Sequence, residues 1–189
     1  MSDDAVSFKL VVTGPFGAGK TTLISAVSEV PVVATEVNAS SAEESARKSA
    51  TTVSMDFGMR TVAEDGFEAK LLVYGTPGQE RFSFMWDVLA RGMDGFLLLV
   101  DSTDRASWPT ARLQLEHFRA AGPVPHLVAA NRAVDGSPVL KELAAALGSN
   151  GTRVLACDVT DLESAKSVVV ELLCEVLEAL LAPTPPPIP

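Results

Sequence analysis

Gly14-Pro15-Phe16-Gly17-Ala18-Gly19-Lys20-Thr21 (GPFGAGKT) matches the pattern G-x-x-x-x-G-K-[ST] at every fixed position. An apolar run, Phe8 to Thr13 (FKLVVT), precedes it and reads as a buried strand, and a helical stretch follows from about Lys20. Strand, glycine-rich turn and helix in that order make a cradle for phosphate. Glycines let the backbone wrap with its N–H groups facing an anion, and the helix aims the positive end of its dipole at the same point. Lys20 adds a cation for the β- and γ-phosphates, and the Thr21 hydroxyl is placed to ligate Mg2+. The signal specifies a nucleoside triphosphate and is silent about its base.

Outward from this turn the chain alternates strands and helices. Residues 29–51 are poor in periodicity and rich in Ser, Ala and Glu (NASSAEESARKSA), and so long a stretch without a clear element is usually functional or mobile in a compact domain. Val53 to Val62 and Phe67 to Tyr74 flank Glu64-Asp65-Gly66, a hairpin signal. Gly95 to Asp101 (GFLLLVD) is a continuous apolar run, as expected of a strand covered on both faces. Helical stretches at about Arg105–Ala121, Val139–Leu147 and Leu162–Leu181 alternate with strands at His126–Ala130 and Thr152–Cys157. Such alternation predicts an α/β fold in three layers, a mostly parallel sheet with helices on both sides, made mixed by the early hairpin.

Composition narrows the function. A chain of 189 residues fits one domain, read as an extension (residues 1–7), a domain (8–182) and a proline-rich tail (183–189). With 47% apolar and 21% charged residues it is neither disordered, collagen-like nor a coiled coil. The 24 acidic against 15 basic residues give a net charge of −9, which disfavours a nucleic-acid partner or a polybasic membrane clamp. Residues 154–189 hold six acids and only Lys166, so a polyanionic ligand must be held locally rather than drawn by global charge. Cys157 and Cys174 cannot make a disulfide framework. Ser2 stands where myristoylation needs glycine, the tail has no cysteine to prenylate, and Glu171, Glu175 and Glu178 interrupt the richest apolar stretch. The expectation is a cytoplasmic protein with no membrane anchor of its own.

The order of phosphate turn, long aperiodic segment, threonine, hairpin and Gly-Gln resembles the small Ras-like GTPases over residues 8–180. Thr52-Val53-Ser54-Met55-Asp56-Phe57-Gly58 is similar to switch I and its following strand in Rab-type members, and Thr76-Pro77-Gly78-Gln79-Glu80-Arg81-Phe82 to switch II. Val100-Asp101-Ser102-Thr103-Asp104-Arg105 is similar to the matching strand end of Arf-type members. The Pro before Gly78 and the degenerate later motifs look most like the prokaryotic MglA-like group and the small ATP/GTP-binding proteins of actinobacteria. The resemblance and the strand–helix alternation together imply a P-loop G domain: a six-stranded mixed sheet, one antiparallel edge strand and about five helices. The implied function is a GTP/GDP switch with Mg2+ and GTP hydrolysis. The implied nucleotide contacts are Gly14, Phe16, Gly17, Ala18, Gly19, Lys20, Thr21, Thr22, Thr52, Gly78, Asn131, Arg132, Asp135, Cys157 and Asp158. Thr21 and Thr52 would ligate the metal, and Lys20 and Gln79 would be catalytic, Gln79 by orienting water. Thr51 is a rival for the role of Thr52. A regulatory or effector protein would bind at switches I and II, a roadblock-type protein by family analogy.

Four departures qualify this picture. Gly75 stands where the family has an aspartate that helps hold the metal, which predicts weaker Mg2+ dependence. Phe16 is bulky where a small residue is usual, which predicts slow hydrolysis or a different geometry of activation. No arginine adjoins Thr52, leaving Arg47, Arg60 and Arg81 as the nearest candidates for a catalytic arginine. The base-reading N-K-x-D becomes Asn131-Arg132-Ala133-Val134-Asp135, with the aspartate one residue late. A bulged loop that brings Asp135 in keeps guanine favoured, because a carboxylate accepts two N–H donors that adenine does not offer in that pattern. Ser164-Ala165-Lys166 spells the family's last tripeptide but sits inside the final helix and is not assigned.

His117 and His126 lack partners at metal spacing and read as structural, and both cysteines as small buried apolar residues. For Arg81-Phe82-Ser83-Phe84-Met85-Trp86, core packing and a partner surface remain equal readings. A non-hydrolysing nucleotide-binding module and an ATP-accepting P-loop protein are the alternatives. A P-loop kinase is disfavoured for want of an arginine-rich lid.

Overall fold

A computed structural model describes residues 6–38, 52–64, 67–78, 80–148 and 153–182. The chain runs β1 (Val6–Thr13), α1 (Lys20–Val27), β2 (Val33–Asn38), β3 (Thr52–Glu64), β4 (Phe67–Gly75), α2 (Phe84–Ala90), β5 (Gly95–Asp101), α3 (Trp108–Ala121), β6 (His126–Asn131), α4 (Pro138–Ala146), β7 (Val154–Cys157) and α5 (Leu162–Leu181). The sheet order is β2-β3-β4-β1-β5-β6-β7. β2 and β3 pair antiparallel with their neighbours, and β4, β1, β5, β6 and β7 are mutually parallel.

The mixed sheet and, among the described residues, its five helices are those expected. The expected six strands become seven, because β2 is added outside β3, so the antiparallel strand is not at the edge. Residues 33–38, part of the aperiodic segment, pair with residues 52–57 of β3. Alternation is lost there because the pattern carries Thr, Glu and Asn (VATEVN), so only pairing identifies the strand. α2 likewise has too few residues to show a helical period.

All seven residues of β5 are buried. Its side chains alternate between two cores. Leu97 and Leu99 join Leu10, Val12, Leu23, Ile24 and Val73 beneath α1 and α5. Phe96, Leu98 and Val100 join Val11, Trp86, Trp108, Leu115 and Phe118 beneath α2, α3 and α4. Each such side chain contributes about 1.5–3 kcal/mol of burial. This double covering explains the unbroken GFLLLVD run.

β1 lies between β4 and β5, and the chain leaves it for one side of the sheet and later returns on the other. The C-terminal end of β1 is therefore the switch point of the sheet, where α/β folds bind ligands. Asp161 caps α5 by accepting from the Ser164 N–H, which starts that helix at the same edge. Among the described residues, no helix is long and apolar enough to cross a membrane.

Candidate functional site

The turn between β1 and α1 has positive φ at Gly14, Gly17 and Gly19. At Gly14 a Cβ would lie 2.0 Å from the Leu99 carbonyl oxygen of β5, so the loop can pass there only without a side chain. Lys20 is 7% exposed, and its Nζ donates to the carbonyls of Gly14 (2.7 Å) and Pro15 (2.8 Å). Burial lowers its pKa from the ordinary 10.5 to about 8, and the negative charge of Asp56 opposes that shift. The ammonium is thus held under the loop and short of counter-charge, which suits capture of an anion.

A cleft of about 410 Å³ opens over this loop, lined by Phe16, Gly17, Gly19, Lys20, Thr21, Thr22, Asp56, Thr76, Pro77 and Gly78. Gly14 and Ala18 lie behind it. The Gly14 carbonyl holds Lys20, and the Ala18 carbonyl accepts from Asn131 Nδ2 at 3.0 Å. Gly78 abuts the loop so closely that a Cβ would stand 2.6 Å from the Phe16 nitrogen. The Thr76 hydroxyl bonds that of Thr13 at 3.0 Å, and the Thr76 N–H bonds the Val12 carbonyl, fixing the start of this wall to β1.

Across from Gly75, the neighbouring strand brings a carboxylate to the cleft. Asp56 of β3 is the cross-strand partner of Gly75, and Thr21 Oγ1 donates to Asp56 Oδ2 at 2.5 Å. A Cβ on Gly75 would lie 3.1 Å from Asp56 Cβ and 3.4 Å from Asp56 Oδ2. The two positions compete for one space, and Asp56 fills it. The cleft thus carries a carboxylate, that of Asp56, although position 75 supplies none. A hydroxyl and a carboxylate beside a phosphate cradle are hard oxygen donors, and that donor set fits Mg2+.

On the other side of Asn131 lies a second cleft of about 480 Å³, lined by Arg132, Ala133, Val134, Asp135, Ala156, Cys157, Asp158 and Ser164. Arg132, which begins the turn from Asn131 to Asp135, has φ 63. An αL conformation is uncommon for arginine. Here it is held by the Arg132 N–H on Asn131 Oδ1 and by an ion pair from the Arg132 guanidinium to the Asp101 carboxylate. Asn131 also accepts from the Val159 N–H, so its side chain ties the P-loop to the ends of β6 and β7. Asp158 is held below the usual carboxylate range, first by the Thr160 hydroxyl and then by the Thr160 N–H. Burial pushes the Cys157 thiol up, which keeps it protonated and inert.

The other expected residues divide. Thr52 opens β3, paired with Asn38. Gln79, Thr51 and Arg47 lie outside the described residues. Arg60 bonds the Val27 carbonyl and lines a groove with Lys166, away from the phosphate cleft. Arg81 stacks on Phe82. The aromatic run divides: Met85 and Trp86 are buried in the core, while Phe84 is exposed, edge-on to Phe82. Phe16, 74% exposed, stands at the mouth of the cleft. His126 stacks on Phe96, and His117 Nε2 lies 3.1 Å from Asp87 Oδ1. Cys157 is buried as expected, but Cys174 is exposed on α5, because its position falls outside the apolar face of that helix.

A family model described as conserved hypothetical ATP binding protein matches residues 31–178. The chain belongs to this family. It is also similar to the GTP-binding protein ypt2 of Schizosaccharomyces pombe, with 35% identity over 104 residues, 55% of the chain and 46% of that protein. Ras-related protein RABD2a of Arabidopsis thaliana is 31% identical over 111 residues, 59% of the chain and 48% of that protein. Ras-related protein Rab-13 of Rattus norvegicus is 32% identical over 127 residues, 66% of the chain and 56% of that protein. The chain spans about half the length of the curated relatives it matches. In the sheet and the Gly14–Thr21 turn, this member of the ATP-binding-protein family is similar to the Ras-like P-loop GTPases.

Three residues of this family member's site escape a reading by motif. Asp56 sits in a strand, where nothing local distinguishes it from a solvated acid, and only the register against Gly75 gives it meaning. Thr76 reads as a spacer before Pro77 until its bond to Thr13 is seen. Ser164, set aside as too far along the final helix, lines the second cleft after all, and its hydroxyl accepts from the Asp158 N–H at 2.9 Å. The turn before α5 is tight enough to bring that helix's first residues back to the strand end.

Proposed function

We propose that the chain is a guanine-nucleotide switch that binds GTP and GDP with Mg2+, hydrolyses GTP slowly without an activator, and selects a protein partner by nucleotide state. The observation that carries this reading is the convergence of Lys20, Thr21 and Asp56 on one cleft against the backbone of Gly78. Bound Mg2+ supplies positive charge to the phosphates, and Thr21 and Asp56 are the residues that would hold it, joined by Thr52. Lys20 neutralises charge that develops on the phosphoryl oxygens, Gln79 orients the attacking water, and the Gly78 N–H registers the γ-phosphate. Asp135 in the second cleft supports guanine, whose two N–H donors a carboxylate accepts. Phe16, Phe84 and Val88 are exposed apolar side chains, Phe16 at the cleft mouth and the others on α2, and supply the surface for a regulatory protein, a roadblock-type protein by analogy.

The family description favours a second reading, an ATP-accepting P-loop protein. Chromatography of the nucleotide released from purified protein decides between them, together with Kd values for GDP and ADP. GDP retained with at least about tenfold preference is expected for a carboxylate reading two donors. ADP or ATP alone moves the chain to the second reading, and no binding of either overturns both. Single-turnover hydrolysis then separates a switch from a non-hydrolysing module.

A further inference from the structure

Gln114 lies in the middle of α3 and is fully buried, on a face otherwise made by Trp108, Ala111, Leu115 and Phe118. Its amide nitrogen reaches the phosphate loop and donates to the Gly14 carbonyl at 3.3 Å. That same carbonyl accepts the Lys20 ammonium at 2.7 Å. Its Oε1 has no hydrogen-bond partner among the described residues. A buried amide that leaves half its capacity unused is costly to the fold, and an apolar side chain of similar length would serve the core better. Such a residue, kept 100 positions from the loop it touches, points to a role in the site.

Counting donors shows what that role is. Lys20 has three N–H groups, and two of them are spent on the carbonyls of Gly14 and Pro15. Contact with two phosphate groups takes two of the three, so at least one carbonyl must be released. A buried carbonyl left bare opposes that movement. Gly14 has a second donor waiting. We propose that Gln114 is a positioning residue of the phosphate loop, which keeps the Gly14 carbonyl satisfied when Lys20 turns to the phosphates and so favours the nucleotide-bound arrangement. The inference rests on the reading of the Gly14–Thr21 loop as a nucleoside phosphate site.

Gln114→Met tests it, because methionine keeps the length of the side chain and removes both amide atoms. The measurements are the Tm of nucleotide-free protein and the Kd for GDP and ADP with Mg2+. The expected result is an unchanged or raised Tm with binding weakened about five- to tenfold, the size of one lost hydrogen bond. In a Lys20→Ala background the same substitution should leave the remaining affinity unchanged, since no ammonium then competes for Gly14. A structural role predicts instead a lowered Tm and equal loss of affinity in both backgrounds, and either result overturns the proposal, as does an unchanged Kd. On the wild-type protein, the side-chain amide resonance of Gln114 should shift downfield when GDP is added, and a resonance that stays put overturns the proposal even where the variant does not fold. Wild-type protein that binds neither nucleotide refutes the reading of the loop itself, whereas tight wild-type binding with no effect of Gln114→Met refutes only the role of Gln114.

Discussion

Placing an aspartate at position 75 restores the family pattern, yet the geometry says that it damages this protein. A Cβ there meets Asp56 Cβ at 3.1 Å, Asp56 Oδ2 at 3.4 Å and Ile24 Cδ1 at 2.8 Å. Two carboxylates about 4 Å apart repel by about 1 kcal/mol in water-like surroundings and about 4 at an effective dielectric near 20. Crowding at Ile24 adds about 1–3 kcal/mol. For a cleft that is partly solvated, Gly75→Asp should cost roughly 2–5 kcal/mol, a fall in Tm on the order of 10 °C for a chain of this size. Asp56→Gly alone forfeits the Thr21 hydrogen bond and the carboxylate, so its main effect is on metal-supported nucleotide retention.

The informative variant is the exchange, Asp56→Gly with Gly75→Asp. It removes the repulsion and the contact with Asp56, leaves the crowding at Ile24, and returns one carboxylate to the cleft from the other strand. Thermal melts in EDTA, with nucleotide dissociation rates across a Mg2+ titration, should give a coupling between the two sites of about 2 kcal/mol or more. The exchange should recover most of the metal dependence that Asp56→Gly loses. Additive effects of the two substitutions, or Gly75→Asp as stable as wild type, would refute the claim that Asp56 occupies the place of the family aspartate. The same logic replaces the expectation of weak Mg2+ dependence with an ordinary requirement, read from the wild-type titration.

Lys20→Met should weaken nucleotide binding sharply yet raise the stability of nucleotide-free protein at pH 7 by up to about 3 kcal/mol, measured by urea unfolding. The folded-state pKa of about 8 lies below the ordinary 10.5. The burial penalty is therefore fully present below pH 8, and it is relieved as pH rises from 8 towards 10.5, where the gap between variant and wild type should close. Asp135→Asn should cut the GDP-over-ADP preference at least about tenfold with little effect on Tm, as a partly solvated specificity contact requires. Asn131→Ala breaks three bonds at once, to Ala18, Arg132 and Val159. It should cost about 2–4 kcal/mol in a denaturant melt and weaken either nucleotide alike.

Much of the architecture was legible because its signals are local. GFLLLVD needs no partner to be read as a doubly covered strand, and β5 has the predicted bounds. The final helix, Leu162–Leu181, shows its face by spacing alone. Lys20 and Thr21 follow from the motif, whose residue types are set by backbone geometry and phosphate charge. β2 and α2 were not legible, since one lacks alternation and the other is only seven residues long.

The site divides along the same line. By itself the sequence determined the phosphate loop, the sheet class and the acidic surface that forces anion binding to be local, because each depends on residue type and near spacing. Only the tertiary structure decided that Asp56 lies across from Gly75 on the phosphate cleft, that Asp135 lines the second cleft beyond a left-handed Arg132, and that Gln114 reaches Gly14 from another helix. These are matters of strand register, a left-handed backbone and contact across about a hundred residues of chain. Such relations have no local pattern. They come into being when the sheet and helices pack, and a carboxylate or amide is then defined by what stands opposite it.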